Sequence, residues 1–136
     1  MTVNHNNVLP RSVADNEPLG RFIFSKRHFN KTDQSTKYAA FLPYGEPLAV
    51  SVFRLMGLGP GEVVDLGRQV GQARSSGLKA YAELPASSVK KAQLLLHPDD
   101  TPPRHASIEN WPMDKHEQQM KALSLSRDSR LHIVEE

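Results

Sequence analysis

One segment decides the fold predicted for this sequence: Leu48-Ala49-Val50-Ser51-Val52-Phe53-Arg54-Leu55. Its near-continuous apolar run predicts a central strand that is buried on both faces. The glycines of residues 57–61, together with Pro60, predict a turn into a helix, because proline fits the first helical position. After that turn an apolar stripe repeats every three to four residues, as on one face of a helix. Its members are Val63, Leu66, Val70 and Ala73.

Shorter patterns on both sides of this strand and helix predict a single small α+β domain. Further strands are expected at residues 21–24, 37–42, 78–84, 93–97 and 131–134. A short helix is expected at residues 85–92, and a longer one after Asp114, whose spacing to Glu117 is that of a capping box. The sheet should be mostly antiparallel or mixed, with two or three helices packed on it. The predicted core comprises Phe22, Phe24, Phe41, Val50, Val52, Phe53, Val63, Leu66, Val70, Leu78, Ala80, Ala82, Leu94, Leu96, Met120 and Leu123.

Length and composition limit the organisation of the chain. Its 136 residues suit one domain, which we expect to span residues 21–136. Residues 1–20 are dense in Asn, Asp, Pro and Ser and show no apolar period, so we expect them to be extended or disordered. Residues 98–112 hold four prolines and predict a long irregular loop.

Cysteine usage and the first residues bear on where the protein works. The chain has no cysteine, which excludes a disulfide framework, a thiolate zinc site and a thiol nucleophile. The first residues lack the basic start and apolar run of a signal peptide, and no apolar stretch is long enough to span a bilayer. We therefore expect a cytoplasmic protein that does not enter a membrane.

Positive charge is concentrated in one part of the sequence. The whole chain carries a formal charge of +2, whereas residues 21–40 alone carry +4. The charged side chains of that part are the acid Asp33 and five bases, Arg21, Lys26, Arg27, Lys31 and Lys37. Local charge attracts anionic partners more than the global sum does, although a basic stretch is also typical of a solvated loop.

Two Arg-His dipeptides, Arg27-His28 and Arg104-His105, are the most informative chemical feature. Histidine exchanges a proton near neutral pH. Arginine can bind a phosphate or carboxylate through two parallel hydrogen bonds. If the two pairs meet in the fold, they predict one site that binds an anion and transfers protons.

The first candidate cluster follows the strand predicted at residues 21–24. Loops beyond strand ends commonly carry binding sites. The cluster consists of Arg21, Ser25, Lys26, Arg27 and His28. Its cations can hold a phosphate while His28 moves a proton, and Phe29 can stack on a base. The alternative is a surface loop in which His28 covers the edge of the core.

The second candidate cluster lies in the predicted loop. It consists of His97, Asp99, Asp100, Arg104 and His105. No known metal-ligand spacing appears among these residues, so we expect no metal and no cofactor. Instead, we expect the loop to insert Ile108 and Trp111 into the core and to hold Arg104 and His105 near the surface. The alternative is a purely structural loop in which His105 is hydrogen-bonded to the backbone.

The predicted central strand itself carries two polar residues, Ser51 and Arg54. Arg54 is a further candidate ligand-binding cation. Ser25 and Ser51, taken with the two histidines, raise the question of a serine hydrolase. The glycines of residues 57–61 do not flank a serine as in a nucleophile elbow, and no Gly-Lys-Ser or Gly-Lys-Thr of a phosphate loop follows them.

Three functions remain open from the sequence. The favoured one is a small binding protein whose basic Arg/His loop contacts an anionic ligand or partner surface, as a subunit or inhibitor-type protein does. Its partner is a protein or a phosphate-bearing ligand such as nucleic acid. The alternative is a metal-independent phosphodiesterase or ribonuclease-like enzyme with His28 and His105 as acid and base. The third is a single-strand RNA-binding module that stacks bases on Phe22, Phe24 and Phe29.

Overall fold

The computed structural model describes residues 9–134. Eight strands occur in this order: β1 (Pro18–Ile23), β2 (Phe29–Asn30), β3 (Ser35–Thr36), β4 (Val50–Arg54), β5 (Ala80–Pro85), β6 (Leu95–His97), β7 (His105–Glu109) and β8 (Arg130–Ile133). The α-helices are α1 (Pro60–Ala73), α2 (Ser87–Lys91) and α3 (Lys115–Asp128). Two 3₁₀ turns lie at Lys26–His28 and Tyr38–Phe41.

Six of the strands form one antiparallel sheet, which confirms the α+β fold. The strand order is β6-β7-β4-β1-β5-β8, and each neighbouring pair is antiparallel. The strand predicted from residues 48–55 is β4, an interior strand between β7 and β1. The short strands β2 and β3 pair separately as a hairpin.

Strand β4 is buried on both faces of the sheet, as its apolar run predicts. Val50 and Val52 face a core that contains Phe41, Trp111 and residues of α2 and α3. Phe53 and Leu55 face a second core, built with Val63 and Leu66 of α1. Because successive side chains of a strand point to opposite faces, the sheet lies between α1 on one side and α2, α3 and the Tyr38–Phe41 turn on the other.

The two longer helices begin as the sequence predicts. Pro60 is the first residue of α1, and the carboxylate of Glu62 accepts a hydrogen bond from the Gly59 amide at 2.9 Å. Asp114 caps α3 by accepting a hydrogen bond from the Glu117 amide at 2.9 Å. The buried face of α3 was predicted wrongly, because Ala122 and Leu125 are its buried apolar residues. Met120 is exposed, whereas the other predicted core residues outside the core, Phe24, Val70, Leu96 and Leu123, are half-buried.

The start of the fold lies before residue 21. Strand β1 begins at Pro18, Leu19 is fully buried, and Glu17 is buried beside Arg54. A domain boundary after residue 20 would therefore divide β1. The local pattern did not reveal this, because the partners that hold residues 9–20 are distant in sequence. Residues 1–8 of the predicted N-terminal segment lie outside the described residues.

Two other elements differ from the predictions. The prediction of a strand at residues 37–42 is wrong. This stretch forms the Tyr38–Phe41 turn, and Phe41 is buried under the sheet. The stretch at residues 98–112 was expected to be a loop, but it contains β7. Small and apolar residues alternate along β7, and the prolines on both sides of the strand conceal this strand pattern. Within residues 9–134, no helix has the length and apolarity needed to cross a membrane.

Candidate functional site

Ser51, His105 and Asp99 form a continuous hydrogen-bonded array. Ser51 lies on β4, and His105 is the first residue of the neighbouring β7. The β4–β7 register pairs Ser51 with Ser107 and Phe53 with His105, so Ser51 and His105 lie on the same face of the sheet. Nε2 of His105 is 3.0 Å from Oγ of Ser51, and Nδ1 of His105 is 2.6 Å from Oδ1 of Asp99.

A tight loop between β6 and β7 places Asp99 against His105. The loop is closed by two backbone hydrogen bonds, from the Asp100 amide to the His105 carbonyl and from the His105 amide to the Pro102 carbonyl, each 2.9 Å long. Asp100 and Arg104 both have positive φ angles, +57° and +74°. Such left-handed backbone costs free energy in non-glycine residues and is concentrated at functional sites. The loop therefore aims the Asp99 carboxylate at His105.

Arg21 lies beside Ser51, at the point where pairing between β1 and β4 ends. Its Nε donates to the Ala40 carbonyl at 2.8 Å, and its Nη1 donates to the Ser51 carbonyl at 2.9 Å. Within residues 9–134, no carboxylate forms an ion pair with this guanidinium. Burial lowers the pKa of Arg21, and the charge of Arg74 lowers it further, although Tyr44 acts in the opposite direction.

The positive charge of Arg21 contributes to the pKa shifts of two neighbouring side chains, Tyr44 and His28. Burial alone would raise the pKa of Tyr44, but the charge of Arg21 and hydrogen bonding to Ser51 and Arg21 lower it overall. Burial lowers the pKa of His28, and the charge of Arg21 lowers it further. The lowered pKa of Tyr44 indicates a positive local potential, because burial alone would raise it, whereas burial itself already lowers the pKa of His28. We call the group Arg21, Tyr44, Ser51, Asp99 and His105 the Ser51 site.

An apolar cleft of about 190 Å³ adjoins the Ser51 site. The ring of Phe53 forms one wall and meets the His105 ring edge-on, with 5.4 Å between the ring centroids. Pro102 and Pro103, from the loop that carries Asp99, form another wall. The remaining lining residues belong to α1: Leu66, Gln69, Val70 and Ala73. The cleft can hold a small apolar group beside His105.

The Lys26–His28 turn borders a second, basic groove. Ser25 caps the turn by accepting a hydrogen bond from the Arg27 amide at 3.1 Å. Lys26 and Arg27 are exposed, and His28 is half-buried. The groove has a volume of about 580 Å³. It is lined by three lysines, Lys26, Lys31 and Lys79, and by Phe29, Leu78, Ile133 and Val134.

Two of the candidate ligand-binding arginines are occupied within the protein. Arg54 binds the Glu17 carboxylate through Nε and Nη2 at 2.5 and 2.7 Å, and its Nη1 donates to the Pro10 carbonyl at 2.8 Å. Arg104 is 3% exposed, and its Nη1 donates to the carbonyls of Arg54 and Met56 at 2.9 and 2.8 Å. Burial lowers the pKa of Arg104, and the charge of Arg54 lowers it further. Groups of the protein itself therefore hold both guanidinium groups, although Nε of Arg104 is buried without a hydrogen-bond partner among the described residues.

The two Arg-His dipeptides do not act as pairs. Arg104 is directed into the protein while His105 contacts Ser51, because neighbouring residues at the start of a strand point in different directions. Arg27 is exposed while His28 turns towards Arg21. Within the described part of the chain, no hydrogen bond joins His28 to His105. Arg21 is the residue on which both histidine regions converge.

Stacking on phenylalanine, as the RNA-binding hypothesis requires, finds little support. Phe22 and Phe29 are buried. Phe24 lies under the guanidinium of Arg74, whose Cζ is 4.7 Å from the ring centroid. No phenylalanine of this trio therefore offers an open ring face of the kind that a base needs.

The sequence patterns missed part of the Ser51 site. Tyr44 had no predicted role, and Asp99 was placed in one candidate cluster with His105 but was not predicted to be its hydrogen-bond partner. Across residues 9–134, no group of three His, Asp or Glu side chains is arranged to hold a metal ion. The sequence does show Asp99 six residues before His105, at the start of β7. No local pattern, however, links His105 to Ser51.

Comparisons with protein-family models, with curated proteins and with solved structures each found no match.

Proposed function

We propose that this protein binds a small anionic ligand, a carboxylate or a phosphate, at Arg21. The observation that carries the proposal is Arg21, a half-buried residue whose guanidinium has no carboxylate partner among residues 9–134. A cation that has lost part of its hydration gains most from an anion within hydrogen-bond reach. Tyr44 and Ser51 provide hydroxyl groups beside it, as an anion site requires.

A contrast inside the same sheet supports this proposal. Arg54 is buried to a similar or greater degree, and its charge is matched by Glu17 in a two-point contact. Arg21 has the Tyr44 hydroxyl and the backbone carbonyls of Ala40 and Ser51 as partners, but no carboxylate among residues 9–134. These carbonyls satisfy hydrogen-bond donors but do not cancel a net charge, so the local potential stays positive.

The Lys26–His28 turn extends this basic character towards larger partners. Its exposed Lys26 and Arg27 continue into the groove that Lys31 and Lys79 line. A phosphate-bearing ligand such as nucleic acid would contact this surface and release counterions, so that its affinity would fall steeply with salt. A mobility-shift series with mixed-sequence RNA and DNA at low and moderate salt tests this extension. Absence of a shift at low salt would leave an acidic protein surface as the partner class.

The alternative enzyme, with His28 and His105 as acid and base, has one supporting observation. The lowered pKa of His28 keeps its ring neutral near pH 7, as a general base requires. Against it, both ring nitrogens of His105 are occupied by Asp99 and Ser51. Cleavage of RNA by the wild type but not by His28→Ala would favour this alternative.

The experiment that tests anion binding is calorimetric titration with inorganic phosphate and with acetate. The wild type should bind at least one of them. Arg21→Gln should abolish binding, and Tyr44→Phe, which removes only a hydroxyl from a side chain that is largely exposed, should weaken it. The matched control is Arg68→Gln, an exposed arginine of α1, which should bind like the wild type. Equal affinity of the Arg21 and Arg68 variants would overturn the proposal.

A further inference from the structure

We infer that Ser51 is a nucleophile and that the Ser51 site hydrolyses a carboxylic ester with a small apolar acyl group. This inference rests on the proposed function, because the anion bound at Arg21 is then the carboxylate that the reaction releases. Three observations carry it: the Asp99–His105–Ser51 array, the donors at Arg21 and Tyr44, and the apolar cleft beside His105.

The hydrogen bonds of the array run in the direction that activates Ser51 as a nucleophile. The Asp99 carboxylate, 2.6 Å from Nδ1 of His105, favours the tautomer that carries its proton on Nδ1. In that tautomer Nε2 is an acceptor, and it lies 3.0 Å from Oγ of Ser51. The hydroxyl proton of Ser51 therefore has a base within reach, and that base has an orienting carboxylate.

The geometry also separates this array from a purely structural hydrogen bond. Asp99 is held by the Thr101 amide at 3.2 Å, and the loop that carries it contains two residues in left-handed backbone. A core histidine can satisfy both nitrogens on backbone groups without such a loop. Here the loop orients a carboxylate towards a histidine that contacts a half-buried hydroxyl.

The reaction that follows balances with water as the only co-reactant. Oγ of Ser51 adds to the ester carbonyl while Nε2 of His105 takes its proton. Arg21 and Tyr44 provide the donors for the negative charge on the former carbonyl oxygen. The carbon–oxygen bond to the alcohol breaks, and His105 returns the proton to the leaving alkoxide. Water then attacks acyl-Ser51 and loses its proton to His105, which passes it to Oγ of Ser51 as the acyl carbon–oxygen bond breaks. Free Ser51 and the carboxylic acid result, and the acid ionises to the carboxylate.

The adjoining cleft indicates the acyl group. Its volume of about 190 Å³ and its lining by Phe53, Leu66, Val70 and two prolines suit a short aliphatic chain. The Phe53 ring that lines the cleft also meets the His105 ring edge-on, which places the cleft next to the reacting atoms. A butyryl ester is therefore a suitable probe.

The test is covalent labelling with an alkyl fluorophosphonate, which phosphonylates an activated serine and releases fluoride. Intact-mass and peptide mass spectrometry should find one adduct on the wild type, at Ser51. Ser51→Ala and His105→Ala should not be labelled, and both should also lose the turnover of p-nitrophenyl butyrate that the wild type shows. The matched control is Ser107→Ala, since Ser107 pairs with Ser51 across β4 and β7 and is equally half-buried. It should be labelled at the wild-type rate.

Asp99 is a positioning residue, because it acts through His105. Asp99→Asn should be labelled at least about a hundredfold more slowly, the range expected for loss of an effective general base. Its proton spectrum should also lose the strongly downfield Nδ1–H resonance of His105, which a merely structural change elsewhere in the loop would leave in place.

The outcomes separate this inference from the proposed function. A wild type that binds acetate or phosphate but takes no label at Ser51 overturns the inference and leaves anion binding intact. A wild type that neither binds nor is labelled overturns both. Labelling at Ser51 without anion binding supports the nucleophile and overturns the role of Arg21. Equal labelling of the wild type and the Ser51→Ala variant also overturns the inference.

Discussion

Arg54 and Arg21 lie on adjacent strands of one sheet, but within residues 9–134 only the charge of Arg54 is neutralised by a carboxylate. Arg54 binds Glu17 through two hydrogen bonds, and both side chains are almost fully buried, 5% and 0% exposed. Arg21 is half-buried, and its partners are two backbone carbonyls and the Tyr44 hydroxyl rather than a carboxylate. A guanidinium with a buried carboxylate anchors the fold, whereas one without a counter-charge is open to an anion.

The largest effect should come from breaking the Arg54 pair. Arg54→Gln leaves the Glu17 carboxylate buried without its partner, which costs about 3–5 kcal/mol of unfolding free energy. Urea denaturation of the variant measures this loss. The control is the double variant with Met at positions 17 and 54, which removes both charges and should recover most of the stability. A loss below about 1 kcal/mol, the range of an exposed ion pair, would contradict the anchoring role.

Arg21→Gln should destabilise the fold less than Arg54→Gln. It removes two hydrogen bonds to neutral carbonyls and leaves no carboxylate without a partner, so we expect a cost of about 1–3 kcal/mol. Added phosphate should raise the melting temperature of the wild type but not of this variant, since a ligand that binds only the folded state stabilises it. Equal stabilisation of both proteins by phosphate would show that the anion binds elsewhere.

The difference between the two arginines was beyond the reach of local sequence patterns. Arg54 and Glu17 are 37 residues apart, and Ser51 and His105 are 54 residues apart. Periodicity places a residue on a strand or helix, but it does not say which side chains meet across strands. That is why Arg54 and Arg104 entered the predicted site although Glu17 and backbone carbonyls hold their guanidinium groups inside the protein.

Other features were predictable because their causes are local. The apolar run that became β4 and the Gly-Pro turn that begins α1 need no distant partner to be recognised. Strand β7 was concealed by prolines on both sides, and the Tyr38–Phe41 turn has the short apolar composition of a strand. Lys26, Arg27 and His28 were expected to face solvent; Lys26 and Arg27 are exposed, whereas His28 is half-buried.

A smaller effect should appear in the pH dependence of stability. The folded-state pKa of His28 lies below its ordinary value of 6.5, because of burial and then the charge of Arg21. As the pH falls below 6.5, the unfolded chain takes up a proton that folded His28 does not, so stability decreases through this window. His28→Asn should show a shallower loss of stability below pH 6.5 in denaturation series at several pH values. An identical slope in both proteins would show that His28 is not under this influence.

The most direct test of the central claim is an NMR titration of the His28 ring with and without saturating phosphate. An anion at Arg21 cancels the charge that lowers the pKa of His28, so phosphate should raise that pKa towards 6.5 in the wild type. In Arg21→Gln the pKa of His28 should already be higher, and phosphate should leave it unchanged. If phosphate leaves the pKa of His28 unchanged in the wild type, or raises it equally in the Arg21 variant, Arg21 is not the anion-binding residue.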